Sequence, residues 1–225
     1  VIIWGIMRSL PGKKAPETAS SRAYFSEIKA LVRNPVILLL VLTAAIRAAG
    51  ESAVGGFLPV YLREDLDFSP GRVALYLALS QAAGVITQPV MGHLSDKWGR
   101  KAVMVPGVAA VAVLSLALSV ADTGAQLTAI VVAKGAFSFP LHHIFIAAAI
   151  DAARGQVQST VVALIYGAGF LGTFSPYIAG LLVDEFGIHS AFLYGGAVSV
   201  LATVVLIPLR LPRTARQLEE ASVSK

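Results

Sequence analysis

Gly92-His93-Leu94-Ser95-Asp96-Lys97-Trp98-Gly99-Arg100-Lys101 is a short polar stretch set between two long apolar runs, 73–94 and 102–121. Each run matches the roughly 20 helical residues needed to cross a hydrocarbon core about 30 Å thick. Working outward, four more runs of the same kind lie at 36–62, 126–150, 157–183 and 188–209. All six are rich in Ala, Val, Leu and Ile, too long for strands, and free of period-two alternation. A segment surrounded by lipid must satisfy its own backbone, so these runs are expected to be helices. The expected fold class is an all-α polytopic membrane protein, a bundle of six transmembrane helices over residues 35–210.

Composition agrees. Of the 225 residues, 56% are apolar and 14% charged, against about 25% charged in an ordinary soluble domain. Intrinsic disorder needs the opposite balance. The absence of Cys excludes a disulfide scaffold and any thiolate metal site.

The flanks differ from the spans. Residues 1–7 form an apolar run too short to cross a bilayer and read as the end of a truncated transmembrane helix, so the chain is expected to continue a longer protein. Residues 8–34 hold Arg8, Lys13, Lys14, Arg22, Lys29 and Arg33 against Glu17 and Glu27. They read as a basic cytoplasmic linker, whose second half has the apolar spacing of a short amphipathic helix. Asn34-Pro35 opens the first full span, with Pro suited to the first helical position. Residues 211–225 form a tail.

The Lys and Arg residues sort by side. The linker holds six, the stretch 95–101 three, the connection 151–156 one and the tail after 209 four, while the opposite connections hold Arg63 and Arg72 with most of the remaining acids. The positive-inside rule places the basic side, the linker and the C-terminus in the cytoplasm of a multi-pass cell-membrane protein. The same count explains the net charge of +5 without a nucleic-acid partner, because the positive charge follows the loops and forms no single stripe.

The polar stretch also has an echo. Gly92-His93-Leu94-Ser95-Asp96-Lys97-Trp98-Gly99 and Gly180-Leu181-Leu182-Val183-Asp184-Glu185-Phe186-Gly187 both fit G-x-L-x-D-x-aromatic-G, 88 residues apart, and Gly84 and Gly172 match at the same offset. Each copy closes the second span of a set of three, and three spans put the copies on opposite membrane faces. Two inverted three-helix repeats are a recurring architecture of secondary transporters.

The stretch 92–101 resembles the hallmark loop of the major facilitator superfamily, G-x-L-x-D-[RK]-x-G-R-[RK]-[RK], through Gly92, Leu94, Asp96, Lys97, Gly99, Arg100 and Lys101; Ala102 stands where a third basic residue is often seen. Pro176, Gly180, Asp184 and Gly187 are similar to the ending of that family's eleventh helix. The resemblance implies twelve helices in two halves joined by a basic linker, with this chain as the end of the sixth helix, the linker and the C-terminal half. It also implies that the loop is a latch closing one conformation against the other half. Read physically, Asp96 suits the N-terminus of a neighbouring helix, Arg100 and Lys101 suit the anionic inner leaflet, and the glycines allow close approach and a tight turn. The alternative is a plain topological turn.

Ionisable residues inside a span mark function by default. Arg47 and Glu51 lie near the middle of the first span at i, i+4, on one face and close enough to pair. They are expected to bind substrate or carry a proton, or else to form a structural ion pair. Gly50, Gly55, Gly56 and Pro59 predict that this helix bends or unwinds toward its outer end. Lys134 lies about 12 Å into the fourth span at 1.5 Å per residue, and is expected to bind an anion or to face a carboxylate of the other half. His142 is a candidate proton-linked or hydrogen-bonding group. His142 and His143 point about 100° apart on a helix, so they make no metal face. Gly167-Ala168-Gly169-Phe170-Leu171-Gly172 matches G-x-G-x-x-G, but it falls inside a helical run and reads as helix packing, not cofactor binding. The third and sixth spans carry no charge and read as lipid-facing scaffold.

The expectation is half of a secondary transporter that moves a small molecule by alternating access, coupled to H+, with no cofactor and no metal. Its expected partners are the lipid bilayer and the N-terminal half. An intramembrane enzyme would need a nucleophile–base or metal constellation at depth, and the sequence has neither G-x-S-x-G nor H-E-x-x-H. A non-transporting receptor on the same fold would lose its cavity charges, which this chain keeps.

Overall fold

The computed structural model describes residues 33–121, 124–153 and 158–212. The apolar run 1–7, nearly all of the linker and most of the tail lie outside the described residues. The helices are α1 (Pro35–Val60), α2 (Pro70–Trp98), α3 (Arg100–Ala117), α4 (Ala125–Ala153), α5 (Gln158–Leu171), α6 (Ser175–Phe186) and α7 (His189–Leu206). A single 3-10 turn, Gly172–Phe174, joins α5 to α6, so the seven helices make six spans long and apolar enough to cross a membrane.

Local chemistry sets the ends. Asn34 caps α1 by accepting from the Val36 amide at 3.0 Å, with Pro35 in the first turn. Pro59 cannot donate a backbone hydrogen bond, and α1 runs on into a π-helical turn, Tyr61–Asp65. The predicted irregularity toward this end is therefore a widening of the helix, not an unwinding.

The stretch 92–101 is not a loop. The second helix runs through Trp98, and Gly99 alone separates it from α3. Gly99 has φ +96°, a conformation a β-carbon disfavours, which is why the chain reverses on one residue. Gly187, its counterpart in the repeat, has φ +80° and separates α6 from α7 in the same way, with Ile188 as the only further connector. The other matched pair also does equivalent work. Gly84 of the second span lies against Phe139 of the fourth, and Gly172 of the fifth lies against the Ala48–Ala49 backbone of the first. The repeat read from sequence is thus a repeat of stops and of close contacts.

Two apolar clusters fill the bundle. One gathers Ile37, Leu40, Met104, Leu141 and Phe145; the other gathers Val54, Tyr61, Leu118, Leu127 and Phe192. Along α1 they leave a gap at Arg47–Glu51, where polar groups collect. The third and sixth spans each bury one face in this packing, with Gly196 against Leu116 and Gly107 against Leu141, and turn Val113, Val200 and Val204 outward. The most outward-facing spans are the second and fifth. Only 11% of the second span's apolar window and 28% of the fifth's are buried inside the bundle, against 44% for the third and 39% for the sixth, so the expected scaffold spans are better packed than these two.

The fourth span shows how a proline is tolerated at membrane depth. Pro140 leaves the Ala136 carbonyl without its intrahelical donor. The Thr87 hydroxyl of α2 lies 2.6 Å from that oxygen and supplies the bond.

Candidate transport site

Lys134, Ser138 and His142 follow one another at i, i+4 and i+8 on α4, and so share a face. That face meets Arg47 and Glu51 of α1. The Lys134 ammonium donates to Glu51 Oε1 at 2.7 Å, and the Ser138 hydroxyl donates to the same oxygen at 3.1 Å. This corrects two expectations. Glu51 takes its hydrogen bonds from the fourth span, not from Arg47 one turn away on its own helix. Lys134 is neutralised within this chain and needs no carboxylate from elsewhere. The difference is one of direction: the Lys134 ammonium on the facing helix aligns with the carboxylate, whereas the Arg47 guanidinium lies over Phe145.

Arg47 is 93% buried, at 7% relative exposure. Its Cζ sits 5.5 Å from the Phe145 ring centroid, and its Nε has no hydrogen-bond partner among the described residues. His142 makes ring contacts with Tyr166 at 5.3 Å and with His143 at 5.6 Å. It makes no hydrogen bond among the described residues, so that part of its expected role is not met here. Two cavities adjoin at Arg47, Ala48 and His142. One, of about 410 Å³, is lined by Glu51 and Ser138; the other, of about 380 Å³, is lined by Phe145, Tyr166 and Phe170. Gly172, which closes the G-x-G-x-x-G string, packs on α1, while Gly167 and Gly169 face open space. Among the described residues no His, Asp or Glu cluster could hold a metal.

The stretch 92–101 builds a second polar centre at the basic end. Arg100 donates from Nη1 to Asp96 Oδ1 at 2.5 Å and to Ser95 Oγ at 3.1 Å, and from Nε to Asp151 Oδ2 at 2.8 Å. One guanidinium therefore joins the end of α2, the start of α3 and the end of α4. Lys101 Nζ donates to Ile207 O at the end of α7, at 2.5 Å. Arg100 is turned inward to protein acceptors, Lys101 bonds a carbonyl at an exposed position, and Lys97 stays exposed. Gly92 has open space around it.

With the motif shown to tie four spans together, comparison with known proteins decides the family. The sequence profile of the Major Facilitator Superfamily matches residues 40–225. The chain belongs to the major facilitator superfamily. It is 29% identical over 163 residues to the multi-drug resistance efflux pump PmrA homolog of Lactococcus lactis, covering 69% of this chain and 39% of that protein. It is 28% identical over 171 residues to the multi-drug resistance efflux pump PmrA of Streptococcus pneumoniae, covering 71% of this chain and 41% of that one. The chain therefore spans about two fifths of the length of these relatives. Its fold matches the crystal structure of the nucleoside transporter NupG (D323A mutant) with a TM-score of 0.68 at 17% identity, over 81% of this chain and 46% of that one. Membership of the superfamily and the six membrane-length helices make the chain part of a multi-pass membrane protein.

Ser138, Phe145, Tyr166 and Asp151 were not singled out from the sequence. Ser138 had a signal, the i+4 spacing from Lys134. Phe145 and Tyr166 had none, since aromatic residues in an apolar span read as core.

Proposed function

We propose that this chain is the C-terminal half of a secondary transporter that moves a small molecule across the membrane by alternating access, coupled to H+. The observation that carries the reading is the Glu51–Lys134–Ser138 cluster beside Arg47, at mid-depth and opening to two cavities. A carboxylate held by an ammonium is a two-state element. Protonation of Glu51 discharges it and releases Lys134, and the cost of a buried unpaired charge then favours a state in which water reaches that site. Opposite states of the pair, each preferred in one conformation, couple a proton to movement. The superfamily relatives named as efflux pumps support outward transport.

The basic end acts as the latch. Arg100 holds three spans together beside the one-residue reversal at Gly99, so its contacts bias conformations without touching substrate. Lys97, Gly92 and Lys101 complete that motif. The basic end, the linker and the tail face the cytoplasm by the positive-inside count, and a second six-helix half supplies the opposite wall of the cavity.

The test uses the full-length protein in proteoliposomes. Glu51→Gln fixes the uncharged form and is expected to abolish proton-driven accumulation while sparing substrate exchange. Accumulation at the normal rate and with normal pH dependence would reduce the cluster to a structural ion pair.

A further inference from the structure

We infer that the transported molecule is an amphipathic aromatic monoanion, with its carboxylate on Arg47 and its ring system in the adjoining aromatic cavity. This deepens the transporter reading and rests on it. The first observation is charge. The mid-depth cluster holds two cations, Arg47 and Lys134, and one anion, Glu51. Lys134 and Glu51 satisfy each other at 2.7 Å, so one positive charge remains, and it belongs to Arg47.

The second observation is an unmet donor. Arg47 is 93% buried, at 7% relative exposure, yet its Nε makes no hydrogen bond among the described residues. A buried guanidinium without an acceptor is costly and is relieved by a planar anion that takes two of its N–H groups at once. The Phe145 ring 5.5 Å from Cζ stabilises the cation without discharging it.

The third observation is the shape of the space into which Arg47 faces. The cavity of about 380 Å³ beside it is walled by Phe145, Ile165, Tyr166 and Phe170, with His142 at its junction with the Glu51 cavity. Its size falls in the range of small-molecule sites, and its walls are apolar and aromatic. Tyr166 and His142 stand nearly edge-to-face at 5.3 Å, which leaves the exposed Tyr166 ring as a stacking surface. On this half's wall of the cavity a cationic substrate meets net positive charge, and a neutral one gives the Arg47 Nε no anionic acceptor.

Binding to the full-length protein in detergent tests this with three probes of one size: 2-naphthoate, 2-naphthamide and 2-(aminomethyl)naphthalene. The unmutated protein is expected to bind 2-naphthoate at least tenfold more tightly than the amide and to show no competition by the ammonium probe. Arg47→Gln is expected to remove the preference for the anion, bringing 2-naphthoate to the level of the amide, and Arg47→Lys to keep part of it. Tyr166→Ala is expected to weaken 2-naphthoate and 2-naphthamide by the same several-fold factor. Equal or tighter binding of the ammonium probe overturns the assignment, as does an anion preference that survives in Arg47→Gln, which would mean that another group holds the anion. Because the readout is binding, the two readings fail separately. A protein that binds 2-naphthoate and moves nothing loses only the transporter reading. One that transports cations through this site loses only the substrate class.

Discussion

Lys134 and Glu51 stand 83 positions apart in the chain and 2.7 Å apart in space, the one ion pair that joins the first and fourth spans among the described residues. The side chains are 10% and 24% exposed, so the pair is shielded but open to the cavity. That combination suits a contact that must form and break during a cycle.

Removing one partner leaves the other charge buried. Glu51→Ala and Lys134→Ala are each expected to destabilise the bundle by about 3 kcal/mol. Replacing both with apolar residues should restore most of the loss, because the cost lies in the unpaired charge. Thermal unfolding of the purified full-length protein in detergent checks this. Strict additivity of the two losses would show that the residues do not interact. Arg47→Ala is expected to rescue Glu51→Ala less than Lys134→Ala does, since Lys134 and not Arg47 is the hydrogen-bonded partner that Glu51→Ala strands.

Arg100→Ala separates the ends of α2, α3 and α4 and strands Asp151. Transport is expected to slow by an order of magnitude, with substrate affinity within about twofold of the original, because the site lies a half-span away. Asp96→Asn should give a milder form of the same phenotype, since Asp151 still holds Arg100. Initial-rate measurements across substrate concentrations separate turnover from affinity, and a normal turnover in both variants would return the motif to a plain connection.

Thr87→Val removes the donor that serves the Ala136 carbonyl above Pro140. The expected cost is roughly 1–3 kcal/mol, the penalty of a buried unsatisfied acceptor. Pro140→Ala restores the intrahelical donor and should erase most of that cost in the double variant. Stability measurements that show the two changes to be independent would contradict the repair.

The basic end is expected to face the cytoplasm. Cysteine labelling from either side of intact cells at Ser9 and Ser224, both outside the described residues, should report the inner side. Ser95 is fully buried and bonded to Arg100, so Lys97→Cys, at an exposed position, is the informative replacement within the motif. Labelling from outside at any of these positions would reverse the orientation.

The spans and their repeat were legible because lipid imposes length and apolarity on every crossing segment, and because Gly99 and Gly187 are forced by backbone geometry. The motif residues were legible as a group, but their partners were not. Asp151 lies 51 residues beyond Arg100, and only folding brings the fourth span beside it. Glu51 shows the same limit more sharply. Its neighbour on the helix is Arg47, and periodicity favours that pairing, yet the facing helix presents an ammonium and a hydroxyl at better geometry. Helical spacing ranks contacts within a helix and is silent about the helix across from it.

Gly99 joins two long rods through a single residue, and Gly187 does nearly the same at the opposite end of the bundle. Joints this short carry no slack. A span cannot slide along its neighbour without forcing the φ of one glycine, so α2 with α3, and α6 with α7, must travel as paired levers. In the proposed cycle, bending would fall instead at the irregular points within the spans, the π-helical turn of α1 and the 3-10 break between α5 and α6. At each of these joints the direction of the following helix is set by the φ of one glycine, +96° at Gly99 and +80° at Gly187.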